Sequence, residues 1–426
     1  MANQLDARWM AALQQADNFI DEERWFSTSI QRTKRERRLF VENEIENPNF
    51  TYADDPASVI GRMTERIRQY QELINKIETE EANAVVRNLY VDKINGQIVR
   101  CKMLISTVSR DNKSFFQNSV LLHGKPKKKY FAYVALHVKK MCRESGVPGT
   151  SASVKRLLKV VSKIDTSTCD ISPDILPPVV QDNGVTIKAG EAKKIFVDTL
   201  KFYGITGWDV SIDKSGKMPI FSVSTAKHRI NIPDNQHLQS RLKPLTHIQT
   251  VALAEHEVGT HVRRSEQGRE SVLCLLQYGL KGYLKGEEGI AAYMQQQSEG
   301  ATDFYGIPRY LAASLAVGMD GTPRDFRAVY SIMSDYYNVF TDGVLSDEQL
   351  HKIVWDVCMR VFRGTTGQGV GTIYTKDIVY LEGNIEIWNL LVSHPEAFEQ
   401  FFVGKYNPLL RSHVTALKKL EIIKGW

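Results

Sequence analysis

The stretch His256-Glu-Val-Gly-Thr-His261 carries three residues of types that can hold a metal ion and work beside it. Peptide hydrolysis at a bound metal needs two or three imidazoles or carboxylates as ligands. It also needs an open position for water, and a base next to that water. Two histidines on one helical face supply part of this. In the familiar His-Glu-x-x-His arrangement they stand four residues apart, about 40° around the axis. Here they are five apart, roughly 140° on a regular α-helix, too far to grip one ion. A π-type turn would bring residue i+5 beneath residue i, and such turns recur at functional sites. Gly259 lies between the histidines, where a missing Cβ lets the backbone distort. Glycine in a regular helix interior costs about 1 kcal/mol, so its presence asks for a reason. The spacing predicts a distorted helix. Glu257, next to His256, is the candidate general base, taking a proton from water and returning it to the leaving amine.

The third ligand has to come from another element. Glu287 and Glu288 sit in Gly286-Glu-Glu-Gly-Ile-Ala-Ala292, which reads as the start of a helix. A carboxylate from there completes two histidines and a glutamate, a recognised catalytic zinc set. Glutamates in a first helical turn are also ordinary partners of the helix dipole. Glu288 is the first candidate. Glu299 and Asp303 are lesser ones, as ligands or as partners that hold the imidazoles. Nothing in the spacing of His228, His237 and His247 converges on the site.

Those side chains need elements to position them. A long helix starting near Thr246, a suitable N-cap, would carry His256 and Glu257. Ahead of it, Trp208–Ile212, Phe221–Ser224 and His228–Ile232 pattern as strands. A turn at Asp213–Lys217 separates the first two, which predicts a small antiparallel sheet. Helices are expected over Pro56–Leu89, Tyr130–Met141, Ala189–Tyr203, Glu270–Tyr283, Gly289–Gln297, Pro308–Val317, Asp325–Tyr336 and Asp347–Phe362. Ile98–Ser106 reads equally as strand or buried helix. Arg363–Gly371 is too polar and glycine-rich for regular structure. The proline-bearing segment Thr166–Thr186 reads as a connector. It divides a helical N-terminal region, residues 1–165, from a catalytic domain, residues 166–426. The expected class is α+β, predominantly helical.

Composition limits the function classes. Hydrophobic residues make up 42% and charged residues 24% of 426, which suits a globular chain. No run of eighteen apolar residues appears, so no membrane span is expected, and the first twenty residues lack the core of a secretory signal. Five scattered cysteines, none in a CxxC pair, suit a reducing compartment, and cytoplasm is the expected location. The net charge of +6 is concentrated in runs at Arg32–Arg38 and Lys125–Lys129. Either run suits an acidic partner such as an acidic protein tail. Nucleic acid is not expected, because no stacking aromatics are interleaved with the first run.

His256-Glu-Val-Gly-Thr-His261, followed by Glu287-Glu-Gly-Ile-Ala291, resembles the microtubule-associated tyrosine carboxypeptidase family and its bacterial relatives, the QEGLA-motif proteins. The family shares a His-Glu-x-Gly-Thr-His helix and a downstream Gln-Glu-Gly-Leu-Ala segment. Here Glu287 replaces the glutamine and Ile290 the leucine. Arg360-Val-Phe-Arg-Gly-Thr365 and Thr375-Lys-Asp-Ile-Val-Tyr-Leu381 also look like the family, as does His123-Gly-Lys-Pro126. The likeness extends from about residue 55 to the C-terminus. It implies zinc held by His256, His261 and Glu288, with Glu257 as the catalytic carboxylate. Eukaryotic members remove the C-terminal tyrosine of α-tubulin, so a peptide or protein C-terminus is the implied substrate.

A carboxypeptidase must bind a terminal carboxylate, which arginine does in bidentate fashion. Arg363 is the first choice and Lys376 the second. Tyr374 or Tyr380 would donate to the oxyanion, with Tyr380 the catalytic choice and Tyr374 placed against the substrate. The expected function is zinc-dependent removal of a C-terminal residue, aromatic residues included. A zinc endopeptidase on the same site and a regulatory protein with a structural metal are the alternatives. Arg264 is a candidate for a supporting salt bridge.

Overall fold

The computed structural model describes residues 4–16, 26, 29–167, 169–182, 184–215, 220–240 and 244–426. The chain is 63% helical with one small sheet, which makes it predominantly helical α+β.

After shorter helices at Ala7–Ala16 and Ile30–Val41, the N-terminal third carries two long ones. Asp55 caps Pro56–Glu80 by accepting from Ser58 N, and Asn83 caps Ala84–Val108 by accepting from Val85 N and Val86 N. The cap at Asn83 is why the expected single helix to Leu89 is two. The first helix buries one stripe, Val59, Met63, Tyr70, Leu73 and Ile77. The second buries residues on every side, so Ile98–Ser106 is buried helix and not strand.

Two hydrophobic clusters draw on both sides of residue 165. In one, Tyr130, Phe131 and Val134 of helix Lys128–Glu144 pack with Tyr310, Phe326 and Trp355. In the other, Tyr70, Tyr90 and Ile94 meet Leu275, Tyr374 and Tyr406.

The three strands are β1 (Asp209–Ile212), β2 (Ser222–Ser224) and β3 (Arg229–Ile232), in the order β1-β3-β2. The sheet is mixed and not wholly antiparallel. β2 runs antiparallel to β3 across a short connection, while β1 lies parallel to β3, with Val210 opposite Ile230. Part of the turn expected at Asp213–Lys217 lies outside the described residues. The sheet and helix Ala189–Phe202 bury Phe196, Leu200, Ile230 and Ile232 against Ala254, Val258 and Val262. Its place in the fold is thus behind the histidine helix.

The helix expected at Glu270–Tyr283 is absent. A helix stops at Glu270, Ser271 is extended, and only a short 3-10 turn, Cys274–Gln277, follows. The carboxylate of Asp6 accepts from Cys274 N and Leu275 N, and Gly279 and Gly282 turn the chain at φ +84° and +79°. Helices Leu284–Glu299, Ile307–Ala316, Phe326–Phe340 and Asp347–Phe362 match the expected positions within a few residues. A further helix, Ile378–Ser393, crosses Leu284–Glu299 at two glycines. A Cβ on Gly289 would lie 2.4 Å from the carbonyl oxygen of Gly383, and one on Gly383 would lie 2.1 Å from that of Lys285.

All five cysteines are free, and among the described residues no helix is long and apolar enough to cross a membrane. Both basic runs are partly answered within the chain. Arg32 meets Asp54, Arg38 meets Glu42 and Glu44, and Lys127 and Lys129 reach Glu382 and Glu386.

Candidate metal centre

The histidine helix starts in a capping box: Thr246 Oγ1 accepts from Gln249 N, and Gln249 Oε1 accepts from Thr246 N. It runs as an α-helix over His247–Ala254, as a π-helix over Glu255–Val262, and as an α-helix again over Arg263–Glu270. The wider winding turns His256 and His261 to the same side, with ring centroids 5.2 Å apart and planes at 74°. Gly259 has a reason beyond backbone freedom. A Cβ there would lie 2.5 Å from a carboxylate oxygen of Glu255 and 3.2 Å from the Tyr203 hydroxyl, which donates to that carboxylate.

One ligand-type atom from each of His256, His261 and Glu288 lies within 4.8 Å of the others. Glu288 comes from helix Leu284–Glu299, and its Oε2 is 3.9 Å from His261 Nε2. Glu287 meets the far side of the same ring, its Oε1 3.1 Å from Nδ1. Arg264, fully buried, donates to the other oxygen of Glu287 and to the carbonyls of Phe401 (2.8 Å) and Tyr406 (2.7 Å). It forms the supporting salt bridge. Lys405 Nζ stands 3.9 Å from Glu287. Glu299 and Asp303 lie outside the triad. Glu299 accepts from Gln295 and Tyr305, and Asp303 pairs with His137. Gln295 stands close enough to His256 to act on its imidazole, raising it against burial.

The electrostatics at the triad are lopsided. Burial would raise the Glu287 carboxyl, but Arg264, the His261 hydrogen bond and Lys405 outweigh it and bring it to about 2. Burial would lower His261, yet Glu287, Glu288 and Glu257 lift it to about 9. Burial, with the neighbouring His261, pushes His256 down to about 3. Burial also raises Glu257 and Glu288. Three carboxylates thus crowd one imidazole; Arg264 and Lys405 offset the charge of Glu287, and a cation at the triad would offset Glu257 and Glu288. Two imidazoles and one carboxylate facing a common point, with further anions behind, fit a divalent metal of zinc's ligand preferences.

The family model for microtubule-associated tyrosine carboxypeptidase matches residues 175–425. The chain belongs to that family. Searches of curated proteins and of solved structures returned no match. The matched segment starts well after residue 55, where the sequence likeness was expected to begin. It contains the histidine helix, Glu288 and the block from Arg360 to Leu381.

In this member of the carboxypeptidase family, one side of the centre is cationic. Burial keeps the Glu288 carboxyl raised, while His261, Lys376 and Arg360 pull against it. The arginines on this side gather around Asp377, only 1% exposed. Arg360 grips it with two hydrogen bonds (2.6 and 3.0 Å), Arg363 Nη2 is 3.6 Å away and Arg309 Nε 4.0 Å. Burial would raise Asp377, but Arg360, Arg309 and Arg363 prevail and hold it at about 2. The two tyrosines have different surroundings. Tyr374 is 1% exposed, its ring lying under the Arg363 guanidinium at 5.0 Å and against Phe26 and Phe115. Tyr380 is less buried and lies in the field of Glu288 and Asp377; burial first, then those carboxylates, raise its hydroxyl and keep it protonated. Asp377, Arg309 and Gln295 were not singled out from sequence. The only available signal was the position of Asp377 beside Lys376.

Proposed function

We propose that the protein is a zinc-dependent carboxypeptidase that removes one residue, tyrosine or another aromatic, from the free C-terminus of a peptide or protein. The observation that carries this reading is the convergence of His256, His261 and Glu288 within 4.8 Å, in a chain of a carboxypeptidase family. Three protein donors leave a position open for water, which suits a catalytic site and not a closed structural one. Bound zinc supplies Lewis-acid polarisation of the scissile carbonyl and a more acidic water.

The chain's own groups do the rest. Glu287 holds His261 through Nδ1 and keeps Nε2 turned toward Glu288. Glu257, raised by burial, takes the proton from the attacking water and returns it to the leaving amine. The protonated Tyr380 hydroxyl donates to the oxyanion. Arg363 and Lys376 hold the terminal carboxylate, with Tyr374 as the platform under Arg363. Free cysteines suit a reducing compartment, and the cytoplasm is the proposed location.

The test is mass spectrometry of a tyrosine-ending peptide and its C-terminal amide after incubation with the zinc-loaded protein. The expected result is loss of tyrosine from the free acid alone, and no cleavage by the Glu257→Gln variant. Equal cleavage of the amide would indicate an endopeptidase. Full activity in the variant would remove Glu257 from the mechanism.

A further inference from the structure

Helix Asn112–His123 lies outside the segment matched by the family model, yet it is tied along its length to the chain from Arg363 to Asp377. Asn112 Nδ2 donates to Thr366 Oγ1 (2.8 Å), and its Oδ1 accepts from Thr366 N (2.9 Å). The Phe115 ring occupies the space beside Gly364, where a Cβ would come within 2.3 Å of it; Gly364 itself has φ +80°. Ser119 Oγ accepts from Thr375 N at 2.8 Å and shares a second hydrogen bond with Thr375 Oγ1. At the end of the helix, the His123 ring meets Tyr374 edge-on, with centroids 5.5 Å apart. Tyr374 is the ring that carries Arg363. His123 and Arg363 therefore share one aromatic platform, and Lys376 follows two residues later.

His123 brings an unpaired ring nitrogen to this setting. Its Nε2 is buried and has no hydrogen-bond partner among the described residues. A buried donor or acceptor without a partner is costly, and few survive in native structures without a role. The surroundings favour an anion: Arg100, Lys376 and Arg363 all act on the ring, opposed by Asp377. Burial, then Arg100 and Lys376, hold the imidazole well below its usual range, so it is neutral. A neutral imidazole can present an N–H without adding another charge.

We propose that His123 is a substrate-binding residue of this site, its Nε2–H donating to the terminal carboxylate of the peptide beside Arg363 and Lys376. The N-terminal helices then complete the chain-end subsite and do more than support it. This rests on the carboxypeptidase reading above, and the test separates the two.

Zinc-loaded full-length Glu257→Gln protein is titrated with fluorescein-labelled pentaglycyl-tyrosine and with its C-terminal amide. The same titrations are run on Glu257→Gln combined with His123→Leu, which keeps bulk without a donor, and with His123→Asn, which keeps an N–H. The parent should bind the acid more tightly than the amide. His123→Leu should narrow that ratio about tenfold, the worth of one hydrogen bond to a charged group. His123→Asn should recover part of it, with melting temperatures close to the parent's. An unchanged ratio in His123→Leu, an equal loss for acid and amide, or a parent indifferent to the carboxylate would overturn the proposal. If His123→Leu fails to fold, His123→Asn and His123→Gln decide by the same ratio, set against the ratio for His123→Ala. Cleavage of pentaglycyl-tyrosine by the wild-type protein is measured in parallel. Absence of cleavage with the binding pattern intact sinks the catalytic reading and leaves the role of His123 standing.

Discussion

Replacing Gly289 with alanine should cripple the site although no side chain that does chemistry is changed. On helix propensity alone the substitution would stabilise helix Leu284–Glu299 by about 1 kcal/mol. The crossing with helix Ile378–Ser393 opposes it. The new Cβ would stand 2.4 Å from the Gly383 carbonyl oxygen and 2.8 Å from Ile387 Cγ1, whereas ordinary contact begins at 3.4 Å. The obstructing oxygen is backbone and cannot rotate away, so the helices must part by about 1 Å. Overpacking of this kind costs about 1–3 kcal/mol, which leaves a net loss of roughly 0–2 kcal/mol after the propensity gain. The larger consequence is positional. Glu288 precedes Gly289, and a misplacement of about 1 Å in a reacting constellation can cost about 100-fold in rate. The assays are steady-state hydrolysis of a free-acid peptide, zinc affinity by competition with a chromophoric chelator, and urea unfolding. A Gly289→Ala protein that is more stable than wild type and retains its zinc affinity and turnover would refute the reasoning.

Glu287→Gln keeps the shape of the side chain but removes the charge behind His261. Zinc affinity should fall about 10–100-fold, and buried Arg264 should lose its partner at a cost of about 3 kcal/mol; chelator competition and thermal melting read the two effects. Asp377 gives a pH prediction. Its folded carboxyl is lowered from 3.8 to about 2, so its contribution of about 2 kcal/mol is present above about pH 4 and is lost as the pH falls toward 2. Urea unfolding across that window should show the loss in wild type and a flatter profile in Asp377→Asn; equal slopes would remove Asp377 as the hub.

The parts of the site that were legible in sequence are those fixed by local geometry. The five-residue step from His256 to His261 demands a π-type winding whatever surrounds it. An acidic pair between Gly286 and Gly289 marks a helix that packs closely against something, although sequence does not identify Gly383 as the neighbour. The misreadings share a different cause. Over residues 270–283 the periodicity suggests a helix, but Gly279, Gly282 and the distant Asp6 turn the chain instead. The pairing of β1 with β3 depends on which strand takes the centre, and alternation in each strand does not encode that. Asp377 matters because arginines from separate parts of the chain meet it, and Gly259 because Tyr203 and Glu255 fill the space a Cβ would take. His123 shows the same limit, since Tyr374, Arg363 and Lys376 come to it from beyond residue 360.

The central claim is that His256, His261 and Glu288 hold one zinc ion and leave a position for water. X-ray absorption at the zinc edge of the reconstituted protein, with zinc counted per chain, tests it directly. The account predicts one zinc per chain, a shell of nitrogen and oxygen at about 2.0–2.2 Å with two imidazoles in it, and loss of the metal in His261→Ala. A shell containing sulfur, four protein ligands with no water, or a chain that takes up no zinc would contradict it.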